Sequence, residues 1–384
     1  MKYLKDQDVL TIQPSGEIDS VSASKVEEEI NAILQKEAHA SVVFDFEEVK
    51  YVSSAGLRVI LKCKQKEKDV CIINASNDVY DVLQMTGFTN MMSIKKKNRI
   101  VSVEGCPLIG EGYFSLVYRL DRETIIKVCR WETDLKEVER ELNLAKEAFI
   151  LGIPTAISYD VVKVDNRWGV VFEMLDCASL RDCFRDQPDH FDDLVKKYAA
   201  LVKTINTTET MNPSLPDAKK CWLEKAETVK KYIDEPHYAK LARLLSSVPD
   251  RETFVHGDVH FKNIMVQGED LYLIDMDTLS KGHPIFELAA IYAPYIAFEE
   301  DDPGNSERFL GVSAELAKNV FKSLIKYYFG EFSEDVYRKI ALVSYCHMVW
   351  WNRVNESENN VRLEGCRDRL VALLDQYEDL DIGI

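Results

Sequence analysis

The stretch that decides the organisation of this chain is His256-Gly257-Asp258-Val259-His260-Phe261-Lys262-Asn263-Ile264-Met265, continued by Val266–Tyr272 and closed by Leu273-Ile274-Asp275-Met276-Asp277. Asp258 and Asn263 stand five positions apart, and Asp275 lies twelve beyond Asn263. Apolar segments flank them at Thr253–Val255 and Leu271–Ile274 and read as two strands with a polar turn between. These residue types suit phosphoryl transfer. One carboxylate takes the proton of an attacking hydroxyl, while an amide and a second carboxylate hold the Mg²⁺ ions that clamp the phosphates.

The order His256, Asp258, Asn263, Asp275 follows the catalytic loop and metal-binding Asp of protein kinases, with Gly257 in place of the usual Arg. In the form HGDxHxxN with a later IDxD, it resembles the aminoglycoside phosphotransferase and choline kinase family. The resemblance covers about residues 99–384 and implies a two-lobed α+β, protein-kinase-like fold. The small lobe would be about 99–176 and the helical large lobe about 177–384. Asp258 would be the catalytic base, and Asn263 and Asp275 the Mg²⁺ ligands.

Upstream motifs fall in the matching order. Leu108–Tyr118 contains Gly110-Glu111-Gly112, a Gly-x-Gly that lets backbone approach a triphosphate, with Ser115 where the kinase pattern has a third glycine. Lys127, flanked by Ile126 and Val128, sits on the next strand pattern, where a phosphate-binding lysine belongs. Glu137, Glu139 and Glu141 on the following helix, about Leu135–Phe149, could each pair with it. In the resembling family the paired acid lies eleven residues before a G-[IV]-P turn, and Gly152-Ile153-Pro154 puts that position at Glu141. Met174-Leu175-Asp176 stands where the family's hinge contacts a purine, with ATP and GTP both open. Glu287, in Gly282–Ala289, matches an acid that braces the catalytic loop, and His256 orients that loop rather than titrating. Phe298–Arg308 (FEEDDPGNSER) falls where the family varies its acceptor lid, and its acids would suit an amine. Tyr345, Trp350 and Trp351 read as core packing.

The first hundred residues have a different pattern. Val9–Gln13, Ser41–Phe46, Val70–Asn74 and Met92–Ile94 read as strands, alternating with helices at Ala23–Glu37, after Ser54, and at Asp78–Phe88. Ser24 and Glu27 fit a capping box. This is an α/β layer pattern. Gly16–Asp19 (GEID) and Tyr51–Leu61 (YVSSAGLRVIL) resemble the STAS domain of anti-sigma factor antagonists, over about residues 1–98. That implies a protein partner and a candidate phosphoacceptor at Ser54, although Ser53 replaces the family's Asp.

Composition bounds the rest. The chain has 384 residues, 46% hydrophobic and 29% charged, enough for two or three domains with full cores. The net charge of −17 disfavours nucleic acid and anionic membrane, and would suit a cationic substrate. Nine scattered cysteines without a C-x-x-C pair predict reduced thiols rather than a disulfide frame or zinc site. The opening MKYLKDQDVL lacks an apolar signal core, and no apolar run spans a bilayer, which predicts a cytoplasmic protein. The sequence therefore predicts a Mg²⁺-dependent phosphotransferase using ATP or GTP on a small-molecule hydroxyl, with a STAS-like regulatory domain. The competing expectation is a signalling protein whose kinase-like part senses nucleotide or phosphorylates a protein serine such as Ser54.

Overall fold

The structure is a computed structural model that describes residues 1–112, 114–175, 177–353 and 361–384. The chain divides into two compact units, Met1–Ser102 and Val103–Ile384.

In the first unit, a five-stranded sheet runs in the order Lys2–Asp6, Val9–Gln13, Ser41–Asp45, Val70–Ala75, Ile94–Lys96. The first pair is antiparallel and the rest are parallel. Helices span Ala23–Lys36, Ser54–Lys66 and Asn77–Met85. Alternation in the central strands turns Leu10, Ile12, Val42, Phe44 and Ile72 inward against Ile30, Ile33, Ile60 and Leu83 from the helices. A separate parallel pair, Ser15–Ile18 with Glu48–Val52, leads into the Ser54 helix. Gly56 is required there, because a Cβ would stand 2.4 Å from the Ile18 carbonyl oxygen. The first helix does not use the expected capping box. Ser24 lies inside the helix, and Asp19 Oδ1 instead accepts from the Val21 and Ser22 N–H groups ahead of it. The last strand begins at Ile94 rather than Met92, whose side chain is buried in the core.

In the second unit, an antiparallel sheet runs in the order Ser158–Val164, Arg167–Glu173, Thr124–Cys129, Ser115–Arg119, Leu108–Glu111. Helix Leu135–Ile150 packs on it through Val138 and Leu142 against Val161 and Val170. Beyond it lies a helical lobe whose long helices are Phe191–Thr207, Ala218–Val229, Glu235–Ser247, Ala314–Phe329, Glu334–Asn352 and Val361–Gln376. Their apolar stripes, with the buried helix Pro284–Tyr292, form one large core. This core is the floor on which the His256–Asp277 stretch rests. All nine cysteines are free thiols. No helix among the described residues is long and apolar enough to cross a membrane.

Candidate active site

Between the short strand Phe254–Val255 and the hairpin Ile264–Gln267/Asp270–Leu273, the chain makes a tight loop over His256–Asn263. Gly257 has φ +84°, a left-handed conformation that favours glycine, with the Thr278 carbonyl 3.5 Å from where a Cβ would be. Asp275 also adopts a positive φ, +70°, which is uncommon for a non-glycine residue. It follows the strand Asp270–Leu273, and the Ile274 N–H donates to the Asn263 carbonyl (2.9 Å).

Buried polar groups hold this loop from below. Glu287, fully buried, accepts from the N–H of His256 (2.5 Å) and of Gly257 (3.0 Å). Thr278 Oγ1 donates to the His256 carbonyl (2.6 Å). Tyr198 Oη donates to the Val259 carbonyl (2.6 Å), and Tyr295 Oη donates to Tyr198 Oη (3.2 Å) while accepting from the Phe261 N–H (3.1 Å). Tyr295 lies on a π turn, Ala293–Ala297, where Pro294 offers no N–H to an ordinary helical ladder. His256 Nδ1 accepts from the Asp258 N–H (3.2 Å). Burial lowers the His256 pKa to about 4, so it is neutral and orients the loop.

On the open side, Asn263 Nδ2 donates to the Asp258 carbonyl and to Asp258 Oδ2, both at 3.0 Å. Lys127 Nζ bridges Glu141 Oε1 (2.8 Å) and Asp275 Oδ1 (2.7 Å), joining three segments far apart in the chain. Burial disfavours the lysine's charge, but Glu141 and Asp275 outweigh it and hold its pKa well above the ordinary range. Asp275 is held low, since the Lys127 charge overcomes the cost of its burial. Asp258 is pushed the other way, up to about 7, by burial first and then by the charges of Asp275 and Asp277. Asp277 is itself raised, by burial and by Asp275. One carboxyl poised near neutrality beside one held ionised is an acid–base division of labour. Of the three acids considered for Lys127, Glu137 and Glu139 are exposed and Glu141 makes the contact.

The remaining expected residues are distributed as follows. Gly110 and Gly112 lie on and just after the strand Leu108–Glu111, and Ser115 starts the next strand with its side chain buried. Arg130 pins this turn, with Nε donating to the Gly112 carbonyl (2.9 Å) and Nη2 paired to Glu111 (2.5 Å). Met174 donates its N–H to the Glu123 carbonyl (2.7 Å), so that group is not free for a purine, and Leu175 is buried. Asp176 lies outside the described residues. A cavity of about 900 Å³ near Arg185 and Lys322 contains none of these residues.

The FEEDDPGNSER segment differs from expectation. Glu299 caps the Gly304 and Ser306 N–H groups (2.6 and 2.7 Å). Glu300 accepts from Tyr345 Oη (2.6 Å), and Asp301 takes a bidentate pair from Arg369 (2.6 and 2.9 Å). Asp302 pairs with Arg308 and Arg362. These four acids are spent within the fold, so they give no support to a cationic acceptor. Tyr345 is buried, as core packing requires, whereas Trp351 is 53% exposed.

Residues 106–315 match the model of the phosphotransferase enzyme family, more than half of the chain. The chain belongs to the phosphotransferase enzyme family. Residues 1–99 match the STAS domain model. The anti-sigma-B factor antagonist of Listeria monocytogenes is 28% identical over 95 residues, 24% of this chain and 82% of that protein. The same figures hold for the protein of that name from Listeria innocua. Among solved structures, the gentamicin complex of APH(2'')-IIa is 14% identical with a TM-score of 0.46, covering 69% of this chain and 90% of that one. The GDP complex of wild-type aminoglycoside 2'-phosphotransferase-IIIa is 13% identical with a TM-score of 0.47, covering 77% and 98%.

Several site-building residues of this phosphotransferase were not singled out from sequence. Asp277 was visible only as part of the IDxD pattern. Tyr198, Tyr295 and Thr278 carried no signal that separated them from ordinary core and turn residues.

Proposed function

We propose that the second unit transfers the γ-phosphate of ATP or GTP to a hydroxyl of a small acceptor, with Mg²⁺. The observation that carries this reading is the Lys127 bridge to Glu141 and Asp275 beside an Asp258 locked to Asn263. The acceptor hydroxyl attacks the γ-phosphorus as its bond to the bridging oxygen breaks, and the hydroxyl proton passes to Asp258. An Asp258 carboxyl poised near neutrality suits that task, since it ionises readily yet can hold a proton. Asn263 spends its Nδ2 on Asp258, which leaves its oxygen for a metal. Asn263, Asp275 and Asp277 offer hard oxygen ligands that fit Mg²⁺, which takes one or two protein carboxylates and completes its shell with phosphates and water. When bound, Mg²⁺ neutralises the phosphate charge. Lys127 stays anchored by Glu141 and turns its charge from Asp275 to the phosphates. Gly110 and Gly112 supply backbone over them, and Met174 and Leu175 border the purine.

The test is transfer of radiolabelled γ-phosphate across a panel of alcohols by wild type and Asp258→Asn. The reading predicts transfer that falls at least about a hundredfold in the variant. Equal transfer by both proteins would remove Asp258 from the chemistry.

For the first unit, we propose docking to a protein partner, with Ser54 as the phosphoacceptor. Ser53 caps the helix, accepting from the Ala55 and Gly56 N–H groups. Ser54 is the first helical residue and is exposed, so its hydroxyl is not consumed by the cap. A phosphate there would meet the positive end of the helix. The likeness to proteins named anti-sigma-B factor antagonists supports this role.

A further inference from the structure

Lys262 is exposed and lies on the catalytic loop, four residues after Asp258 and directly before Asn263. It takes part in no ion pair among the described residues. The charges acting on it are those of Arg181 and Asp258. Its Nζ sits 5.1 Å from the centre of the Phe309 ring, and Phe309 also stands edge-on to His260 at 5.4 Å. The segment after the acidic run therefore presents an aromatic face to the catalytic loop, while the acids Glu299 to Asp302 are tied up elsewhere.

Arg181 lies on the other flank, donating its N–H to the Phe261 carbonyl (3.3 Å) and packing against Gly311, where a Cβ would meet its Cδ at 3.0 Å. Its guanidinium is already matched by Asp182 (2.9 Å). Among the described residues Lys262 thus stands beside the base without an ion pair, its charge facing that of Asp258. A fixed positive charge there repels an ammonium group on an incoming alcohol and attracts a carboxylate or phosphate. Bound there, that group would tether the acceptor beside the loop that carries Asp258, which orients the hydroxyl for attack.

We propose that the acceptor is an alcohol carrying an anionic group, carboxylate or phosphate, and that Lys262 binds that group. This rests on the phosphotransferase reading above. It reverses the acceptor charge that composition alone suggested, because a net charge of −17 describes the whole surface whereas the charge beside Asp258 is local.

The experiment uses the full chain with Mg²⁺-ATP and Mg²⁺-GTP and four probe alcohols: glycerate, glycerophosphate, glycerol and ethanolamine. Release of nucleoside diphosphate gives turnover, and calorimetry in the presence of Mg²⁺-ADP or Mg²⁺-GDP gives acceptor binding. The proposal predicts binding of glycerate or glycerophosphate in preference to glycerol, and none of ethanolamine. Lys262→Gln should weaken the anion by about ten- to a hundredfold, the worth of one charge-assisted hydrogen bond, with little change in nucleotide KM. Lys262→Arg should restore most of the affinity. Preference for ethanolamine, or no binding of either anion at millimolar concentration, would overturn the proposal. So would a Lys262→Gln variant whose nucleotide KM rises instead, since that puts the lysine on the transferred phosphate. Failure of the underlying phosphotransferase reading is a separate result, namely no nucleotide binding by wild type.

Discussion

Tyr295→Phe isolates the buried hydroxyl pair beneath the catalytic loop. The substitution keeps the ring, so the contacts of Tyr295 with Phe261 (centroids 4.5 Å) and Phe321 (6.3 Å) survive and no cavity opens. Only Oη is lost. The Phe261 N–H then has no acceptor in a fully buried setting, which costs about 1–3 kcal/mol. Loss of the bond to Tyr198 adds about 1 kcal/mol. A total of about 2–4 kcal/mol corresponds to a fall of roughly 4–16 °C in melting temperature for a domain of this size. The functional effect should be larger on kcat than on nucleotide binding, because Asp258 and Asn263 flank Phe261 while Lys127 and Glu141 sit on other elements. A drift of the loop by a fraction of an ångström to 1 Å predicts a loss of about ten- to a hundredfold. Tyr198→Phe should behave similarly by freeing the Val259 carbonyl. The double variant should lose about 1 kcal/mol less than the sum, since the two singles both remove the shared hydroxyl–hydroxyl bond. Denaturation and steady-state kinetics on the four proteins measure all of this. Stability of Tyr295→Phe within about 0.5 kcal/mol of wild type, with kcat unchanged, would refute the bracing role.

Two further outcomes follow from the site and from the first unit. Asp258 must be ionised to accept a proton, and its pKa is raised to about 7, so kcat/KM should climb with pH through an ascending limb near 7. Asp277→Asn removes one of the charges that raise it, so the limb should move to lower pH; a limb that stays put or moves up would contradict the assigned cause. Incubation with Mg²⁺-nucleotide followed by mass spectrometry should find phosphate at Ser54 in wild type if the chain modifies itself, and none in Ser54→Ala or Asp258→Asn. Phosphate that persists in Asp258→Asn would assign the modification to another kinase.

Asp258, Asn263 and Asp275 could be read directly because they lie within one short stretch, with spacing set by a loop and a hairpin. Lys127 could be placed from its strand context; spacing alone left three acids on one helix within its reach, and the choice of Glu141, which makes the contact, came from the resemblance. Solvent exposure separates them in the fold. The braces Tyr198 and Tyr295 looked like ordinary core aromatics, because the backbone groups they bind lie 61 and 34 residues away. The partners of the acidic run were out of reach for the same reason: Arg362 and Arg369, which neutralise Asp302 and Asp301, come more than fifty residues later. In the first unit, Lys2–Asp6 gave no strand signal because it is an edge strand with little buried surface, and Glu48–Val52 lacks strict alternation. The Ser24 capping box failed because the turn at Asp19–Ser22 starts the helix earlier than the motif implied.

Calorimetric titration of Mg²⁺-ATP and Mg²⁺-GTP into wild type, Asp258→Asn and Asp275→Asn tests the division of roles most directly. One nucleotide should bind wild type at a single site. Asp258→Asn should bind it nearly as well, because the base acts on the acceptor. Asp275→Asn should lose most of the Mg²⁺-dependent affinity, because it removes a metal ligand and a partner of Lys127. No binding heat from either nucleotide with wild type, or equal losses in the two variants, would contradict the account.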